Sequence, residues 1–304
     1  MHYAFIGLGE LGGALAARLL DAGLAVTVHD RDRAAADPLL ARGARWADGP
    51  AAAAAAADHA ITCLPHPDAS TAVLTAMLPH LRGKDWIELS TLSRDDVLRL
   101  AALARDAGAT SLELPVTGGV HLAASGELAL LAGGDAETLA RHGTALAAMG
   151  REIHHIGAVG DAALVKVVTN MLAFIHLKAT GEALMLCRRG GVDLGTAWRA
   201  IRASSGNSFV HETEGALVLN GSCDVGFSID LALKDLGFAR AFAAELGVPL
   251  DLAEATAKTY ERARDAYGGA AQSPMIVRLL EEALGTDLRA EGFPARLEAG
   301  TVIS

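Results

Sequence analysis

The apolar positions follow two rhythms in the first half of the chain and one in the second. Short runs at residues 3–6, 25–29, 59–64, 86–89, 111–114, 127–131 and 153–156 are bounded by Gly, Pro, Ser or Asp and read as strands. Helical spacing separates most of them, the alanine run at 51–57 included. Strand and helix in alternation predict a parallel sheet with right-handed crossovers. Beyond residue 157 only helical patterns occur, at about 160–187, 196–203, 208–219, 229–246, 252–267 and 274–284. The residues after Gly285 are polar and weakly patterned. The pattern therefore predicts an α/β domain over residues 1–157 and an all-helical domain over 158–304, joined by a long helix.

That long helix has no clean apolar face, and such helices are buried, in a core or between subunits. Lys166 and Asn170 lie in its first half, four residues apart and so on one side. A lysine among Leu164, Val165, Val167 and Val168 is costly to bury unless it is used or its amine reaches water.

The first strand runs into Gly7-Leu8-Gly9-Glu10-Leu11-Gly12, which opens a helix, and the second strand ends at Asp30. This is Gly-x-Gly-x-x-Gly in strand–turn–helix–strand context, the dinucleotide fingerprint of a doubly wound, mostly parallel Rossmann sheet. Gly7 makes the turn, Gly9 admits a pyrophosphate, and Gly12 allows close packing. The helix N-terminus offers free N–H groups to the phosphates. Asp30 suits the ribose hydroxyls of NAD, while Arg31 and Arg33 keep NADP open.

In such sheets ligands sit beyond the carboxyl ends of the strands. Leu64-Pro65, Ser90-Thr91 and Thr117-Gly118-Gly119 fall there. The last can offer clustered N–H and O–H donors to a carboxylate. His121 follows that turn and His211 follows Ser204-Ser205-Gly206-Asn207; a satisfied or exposed histidine is the commoner outcome at either.

A formal net charge of −10 over 304 residues argues against nucleic acid and anionic membranes. Lys166, Lys178 and Glu182 make the long helix a poor membrane span. Three scattered cysteines, with no metal-type spacing, point to a reducing compartment and to no metal site. With strand-like sequence from Tyr3, the expectation is a cytoplasmic protein without a signal peptide.

Four ordered blocks resemble the β-hydroxyacid dehydrogenase family, which includes 3-hydroxyisobutyrate dehydrogenases and tartronate semialdehyde reductases and is 6-phosphogluconate dehydrogenase-like. They are the Gly7–Gly12 loop, Pro115-Val116-Thr117-Gly118-Gly119, the stretch from Gly157 through Lys166 to Asn170, and the stretch from Gly226 through Phe227 to Lys234-Asp235-Leu236. The resemblance implies Lys166 as catalytic acid/base, with Asn170, Thr117, Gly118 and Gly119 on the substrate. It implies cofactor contacts from Gly7, Leu8, Gly9, Glu10, Leu11, Gly12, Asp30, Arg31, Leu64, Pro65, Thr91 and Lys234. It also implies a homodimer or homotetramer. The chain departs from the family pattern at Leu11, Glu113, Leu114, Thr117, Glu127 and Ala162, where Met, Asp, Ala, Ser, Thr and Gly are usual.

Alcohol oxidation needs a hydride acceptor and a group that takes the hydroxyl proton. Free lysine is a poor base at neutral pH, but apolar burial and a second cation would improve it. Lys234 or a bound nicotinamide would be that cation, and Phe227, seven residues before Lys234 on a helix, would face the same cleft. The expected activity is hydride transfer between NAD, or NADP, and a small β-hydroxy acid or semialdehyde acid. The alternatives are an imine reductase of the same fold and a non-catalytic dinucleotide-binding protein.

Overall fold

The computed structural model describes Met1–Glu298; the last six residues of the C-terminal stretch lie outside the described residues. The chain divides into two compact units, Met1–Val167 and Val168–Ser304.

The first unit is a nine-stranded sheet. Its strands are β1 (His2–Ile6), β2 (Ala25–His29), β3 (Arg45–Trp46), β4 (His59–Thr62), β5 (Asp85–Glu88), β6 (Thr110–Glu113), β7 (Val116–Thr117), β8 (Leu128–Gly133) and β9 (Gly150–Gly157). The order β3-β2-β1-β4-β5-β6 is the doubly wound arrangement, with β1 central and the chain reversing direction across the sheet beside it. These six are parallel to one another. β8 pairs antiparallel with β6 and β7 and parallel with β9, so the sheet is mostly parallel, as the pattern predicts.

Apolar side chains pack on both faces, as a parallel sheet requires. Tyr3, Phe5, Val28, Ile61 and Ile87 belong to one buried cluster, and Ala4, Ile6, Ala60, Trp86 and Leu74 to the other. A polar row crosses the carboxyl ends. Thr62 pairs with Glu88, Glu88 with Glu113, and Glu113 with Gly133.

At the sheet's amino end lies a second polar cluster. Asp85 accepts hydrogen bonds from Arg141 (2.5 Å) and His142 Nε2 (2.9 Å), and His142 Nδ1 bonds the Tyr3 hydroxyl (2.8 Å). His59 Nδ1 accepts the Asp85 N–H (3.1 Å). His59, Asp85 and His142 present three ligand-type atoms within 4.8 Å of one another, but each is already engaged in this network. Burial pushes the Asp85 carboxyl up; the bonds from His142 and Arg141 outweigh it and hold the group below the usual carboxylate range.

Among its described residues the second unit is helical, apart from a single bridge between Ser228 and Gln272. The unit boundary falls within the long helix Asp161–Arg189. That helix begins and ends within two residues of expectation, yet it is not buried all round. Val168, Leu172 and Leu186 are 39%, 43% and 76% exposed. It is long and apolar enough to cross a membrane by length and composition, with a third of its most apolar window buried.

Two expected helices are subdivided. The segment 208–219 breaks at Thr213, between Phe209–Glu212 and Glu214–Asn220. There the β-branched Thr213 sits at φ −97° and ψ −77°, its hydroxyl bonding back to the Phe209 carbonyl. The segment 274–284 opens as a 3-10 turn, Ser273–Val277, before the helix Arg278–Leu284.

Candidate active site

The Gly-rich loop has the geometry that a dinucleotide needs. Gly7 holds φ 96°, and a side chain there would run into the Cys63 carbonyl. A side chain at Gly12 would strike the Gly7 carbonyl, so the first helix packs directly on the strand end. Gly9 is the N-cap of the helix Glu10–Asp21 and supplies no side-chain cap, which leaves the first-turn N–H groups for an anion. A Cβ placed on Gly9 meets nothing within 4 Å, so a phosphate can approach the backbone. Leu8 is buried, Leu11 half-buried and Glu10 exposed.

Asp30 ties this loop to the second strand. Its Oδ2 accepts the Leu8 N–H at 2.6 Å, and its Oδ1 accepts the Asp32 N–H at 2.9 Å. Arg31 is exposed. Arg33 is committed elsewhere: it pairs with Asp37 (2.7 Å) and lies over the Trp46 ring, 4.7 Å from its centroid. At the next strand ends, Leu64 donates its N–H to Ser90 Oγ (2.8 Å), and Ser90 donates its own N–H to Glu88 (2.8 Å). Pro65 is exposed and Thr91 half-buried.

Thr117 closes β7, and Gly118 and Gly119 follow with φ of 128° and 86°. Gly119 caps the short helix Val120–Ser125. His121 is half-buried beside Gly119, and burial lowers its pKa. His211 is a satisfied core histidine: it is 1% exposed, stacks on Trp198 and bonds the Trp198 carbonyl (3.0 Å).

Lys166 lies in the second turn of the long helix and is 8% exposed. In the helical unit, Asn170 donates from Nδ2 to Asp235 Oδ2 at 2.6 Å, and Lys234 Nζ stands 3.2 Å from Asp235 Oδ1. Asp235 is 1% exposed, so Lys234-Asp235 is a buried pair, not the solvated one that such a dipeptide usually forms. Phe227 stacks on Phe174 with ring centroids 6.0 Å apart. Phe227 and Lys234 do not share a helix, contrary to expectation. Ser228 caps the helix Ile229–Leu246 by accepting the Leu231 N–H, so Phe227 precedes it in extended chain.

Sequence assigns no role to Asp235 and Ser90, which fall within motif stretches, or to the two glutamates Glu88 and Glu113. The last two carried a signal. A glutamate inside an apolar strand run is rarely buried unless paired, and these are 2% and 3% exposed. Burial pushes Glu88 up to about 6 against the Ser90 bonds that favour its charged form. Burial likewise pushes Glu113 up to about 7, opposed by the amides of Gly160, Ala163 and Ala162.

The strand order, the uncapped Gly-rich helix start and the acid at the end of β2 define a dinucleotide-binding protein of the Rossmann class. The NAD binding domain of 6-phosphogluconate dehydrogenase matches residues 2–157. The NAD-binding domain of NADP-dependent 3-hydroxyisobutyrate dehydrogenase matches residues 160–280. The 3-hydroxyisobutyrate dehydrogenase of Pseudomonas aeruginosa is 35% identical over 78% of this chain and 84% of its own. The 3-sulfolactaldehyde reductase of Escherichia coli is 33% identical over 88% and 91%. The structure of Mycobacterium tuberculosis 3-hydroxyisobutyrate dehydrogenase with L-serine superposes with a TM-score of 0.81, at 30% identity, covering 92% of this chain and 98% of that one. An imine reductase from Streptomyces aurantiacus shares the fold alone, with a TM-score of 0.61 at 22% identity. The chain belongs to the β-hydroxyacid dehydrogenase family, the NAD(P)-dependent oxidoreductases of hydroxy acids.

Proposed function

We propose that this enzyme transfers a hydride between NAD(H) and a short β-hydroxy acid or the matching semialdehyde acid, with Lys166 as general acid/base. Residues 1–157 hold the dinucleotide; residues 158–304 serve the substrate and a second copy of the chain. The observation that carries the reading is Lys166: a lysine 8% exposed among apolar neighbours, one helical turn from Asn170. The relatives act on substrates that pair a short carbon chain with an acidic group or its sulfonate counterpart, as their names state.

Each group has a chemical task. The N–H groups at Gly9 and Glu10 and the end of the first helix take the pyrophosphate, while the Leu8 N–H, held by Asp30, fixes the loop. Asp30 suits ribose hydroxyls, and its charge disfavours a 2′-phosphate; Arg33, engaged with Asp37 and Trp46, does little to offset that. Leu11, Leu64, Pro65 and Thr91 line the cofactor, and Lys234 serves its nicotinamide end. When bound, the nicotinamide supplies the hydride donor or acceptor. Thr117, Gly118 and Gly119 take the substrate carboxylate with N–H and O–H donors, while Phe227 presents an apolar wall. In reduction, the Lys166 ammonium gives its proton to the nascent alkoxide and stabilises that charge. In oxidation, the neutral amine takes the hydroxyl proton. Asn170 orients the hydroxyl, and Asp235 holds Asn170.

A cytoplasmic homodimer fits the anionic surface, the free cysteines and the exposed apolar residues of the long helix. The test of the mechanism is Lys166→Ala. It should fold, bind NAD(H) and lose roughly 10²–10⁴-fold in kcat. Lys166→Arg should not restore oxidation, because a guanidinium keeps its proton. Near-wild-type turnover by folded, cofactor-saturated Lys166→Ala would refute the mechanism.

A further inference from the structure

The long helix begins without a cap of its own. Gly160 precedes it and has no side chain. Asp161, its first residue, turns back to accept the Ala158 N–H (3.0 Å) and pairs with Arg94 (3.6 Å). The first-turn N–H groups have no acceptor within a helix, and together they form its positive end. The Asp161 N–H bonds the Ala158 carbonyl (3.1 Å), and a partner for its neighbours comes from the sheet. Glu113, the last residue of β6, accepts the Gly160 N–H through Oε2 at 2.7 Å in a buried bond. The amides of Ala162 and Ala163 also favour its charged form. The neighbouring strand leaves room for the carboxylate. A Cβ on Gly133, the register partner of Glu113, would stand 2.5 Å from Oε2 and 2.8 Å from the Ala158 carbonyl oxygen.

We propose that Glu113 is a positioning residue for Lys166: its carboxylate grips the first turn of the long helix and fixes the lysine relative to the sheet. The inference rests on the reading of Lys166 as acid/base. Lys166 is three residues past Ala163, on the turn directly above the grip. From Glu113 the chain passes through Leu114 and Pro115 into Val116-Thr117, so the same strand end leads to the turn assigned to the substrate carboxylate. The grip therefore sets the spacing between proton donor and carboxylate turn within one unit. Glu113 and Ala162, two of the departures from the family pattern, meet at this turn. The longer acid gives the reach, and the alanine amide is one of those it faces.

Three variants of the full chain test this, assayed with NAD and with whichever of 3-hydroxyisobutyrate and L-serine is turned over faster. Misplacement of a reacting group by about 1 Å can cost 10²-fold. Glu113→Ala and Glu113→Asp should lower kcat about tenfold or more, with the KM for NAD within about twofold of wild type. Glu113→Gln keeps an acceptor oxygen at the same reach and should keep kcat within about threefold. Hydrogen exchange should quicken at residues 160–167 in the Ala and Asp variants and stay unchanged in β1 to β5. In a Lys166→Ala background, Glu113→Asp should cost nothing further, because the group it positions is gone. An equal loss in both backgrounds overturns the inference, as does unchanged kcat in folded Glu113→Asp. If Glu113→Ala does not fold, the Asp and Gln variants decide alone. Near-wild-type turnover by Lys166→Ala alone overturns the acid/base reading instead, and the exchange measurement still reports on the grip.

Discussion

Asp235→Asn tests the polar chain in the helical unit. An ionised carboxylate only accepts hydrogen bonds, so the 2.6 Å contact fixes Asn170 with its amino group toward Asp235. Asparagine at 235 keeps the volume but accepts through one atom and donates through the other, so nothing fixes which way Asn170 faces. A charge-assisted bond contributes about 1.5–3 kcal/mol and a neutral one about 0.5–1.5, so this contact weakens by about 1 kcal/mol. Lys234, with a side chain 16% exposed, loses its counter-charge for about 1 kcal/mol more. The total of about 2 kcal/mol corresponds to a fall in Tm of about 3 °C in a chain of 304 residues. If half of that loss reaches the transition state through Asn170, kcat/KM falls about fivefold. Thermal melting and steady-state kinetics on the same preparation check both. A variant within 1 °C of wild type, with kcat/KM within about twofold, would show that the buried pair neither holds Asn170 nor stabilises the unit.

Three further outcomes are expected. Wild-type kcat/KM should be higher with NAD than with NADP, and Asp30→Ala should narrow the difference; a clear wild-type preference for NADP would contradict the assignment of Asp30. Leu172→Arg, on the exposed face of the long helix, should shift sedimentation at micromolar concentration from dimer toward monomer, and a monomeric wild type would end the argument. The Glu88 pKa is raised from 4.5 to about 6, so its stabilising contribution is full below about 4.5 and is lost as pH rises through about 6. The Tm of Glu88→Gln relative to wild type should therefore improve between pH 5 and pH 8, and a pH-independent difference would count against a desolvated carboxylate.

The long-period features were legible in the sequence. The Gly7–Gly12 loop, the helix bearing Lys166 and the alternation of strand and helix all announce themselves within a few residues of chain. β3 and β7 did not, because two residues cannot display a period. The break at Thr213 and the 3-10 start at Ser273 turn on local hydrogen bonding that apolar spacing does not encode. Phe227 was misplaced for a related reason: a Ser cap one residue later ends the extended chain there. Candidate side chains were readable where a motif carried them, but their supports were not. Asp235 is 65 residues from Asn170, Ser90 is 26 from Leu64, and Glu113 is 47 from Gly160. Such partners are set by the packing of the fold, which no local window contains.

The position of β1 bears on how the chain is made. Of the strands of this sheet, His2–Ile6 leaves the ribosome first, yet it stands between β2 and β4, with its far neighbour beginning only at His59. Tyr3 reaches further still, to His142. This strand must therefore wait, unpaired on one side, until some sixty residues have followed it, and longer for its last partner. At 5–20 residues per second that delay is several seconds, during which an apolar strand is open to pairing with a stranger. Loss of His2–Ile6 would remove the middle of the sheet, not its margin, whereas the edge strand β3 adds only two residues of ladder.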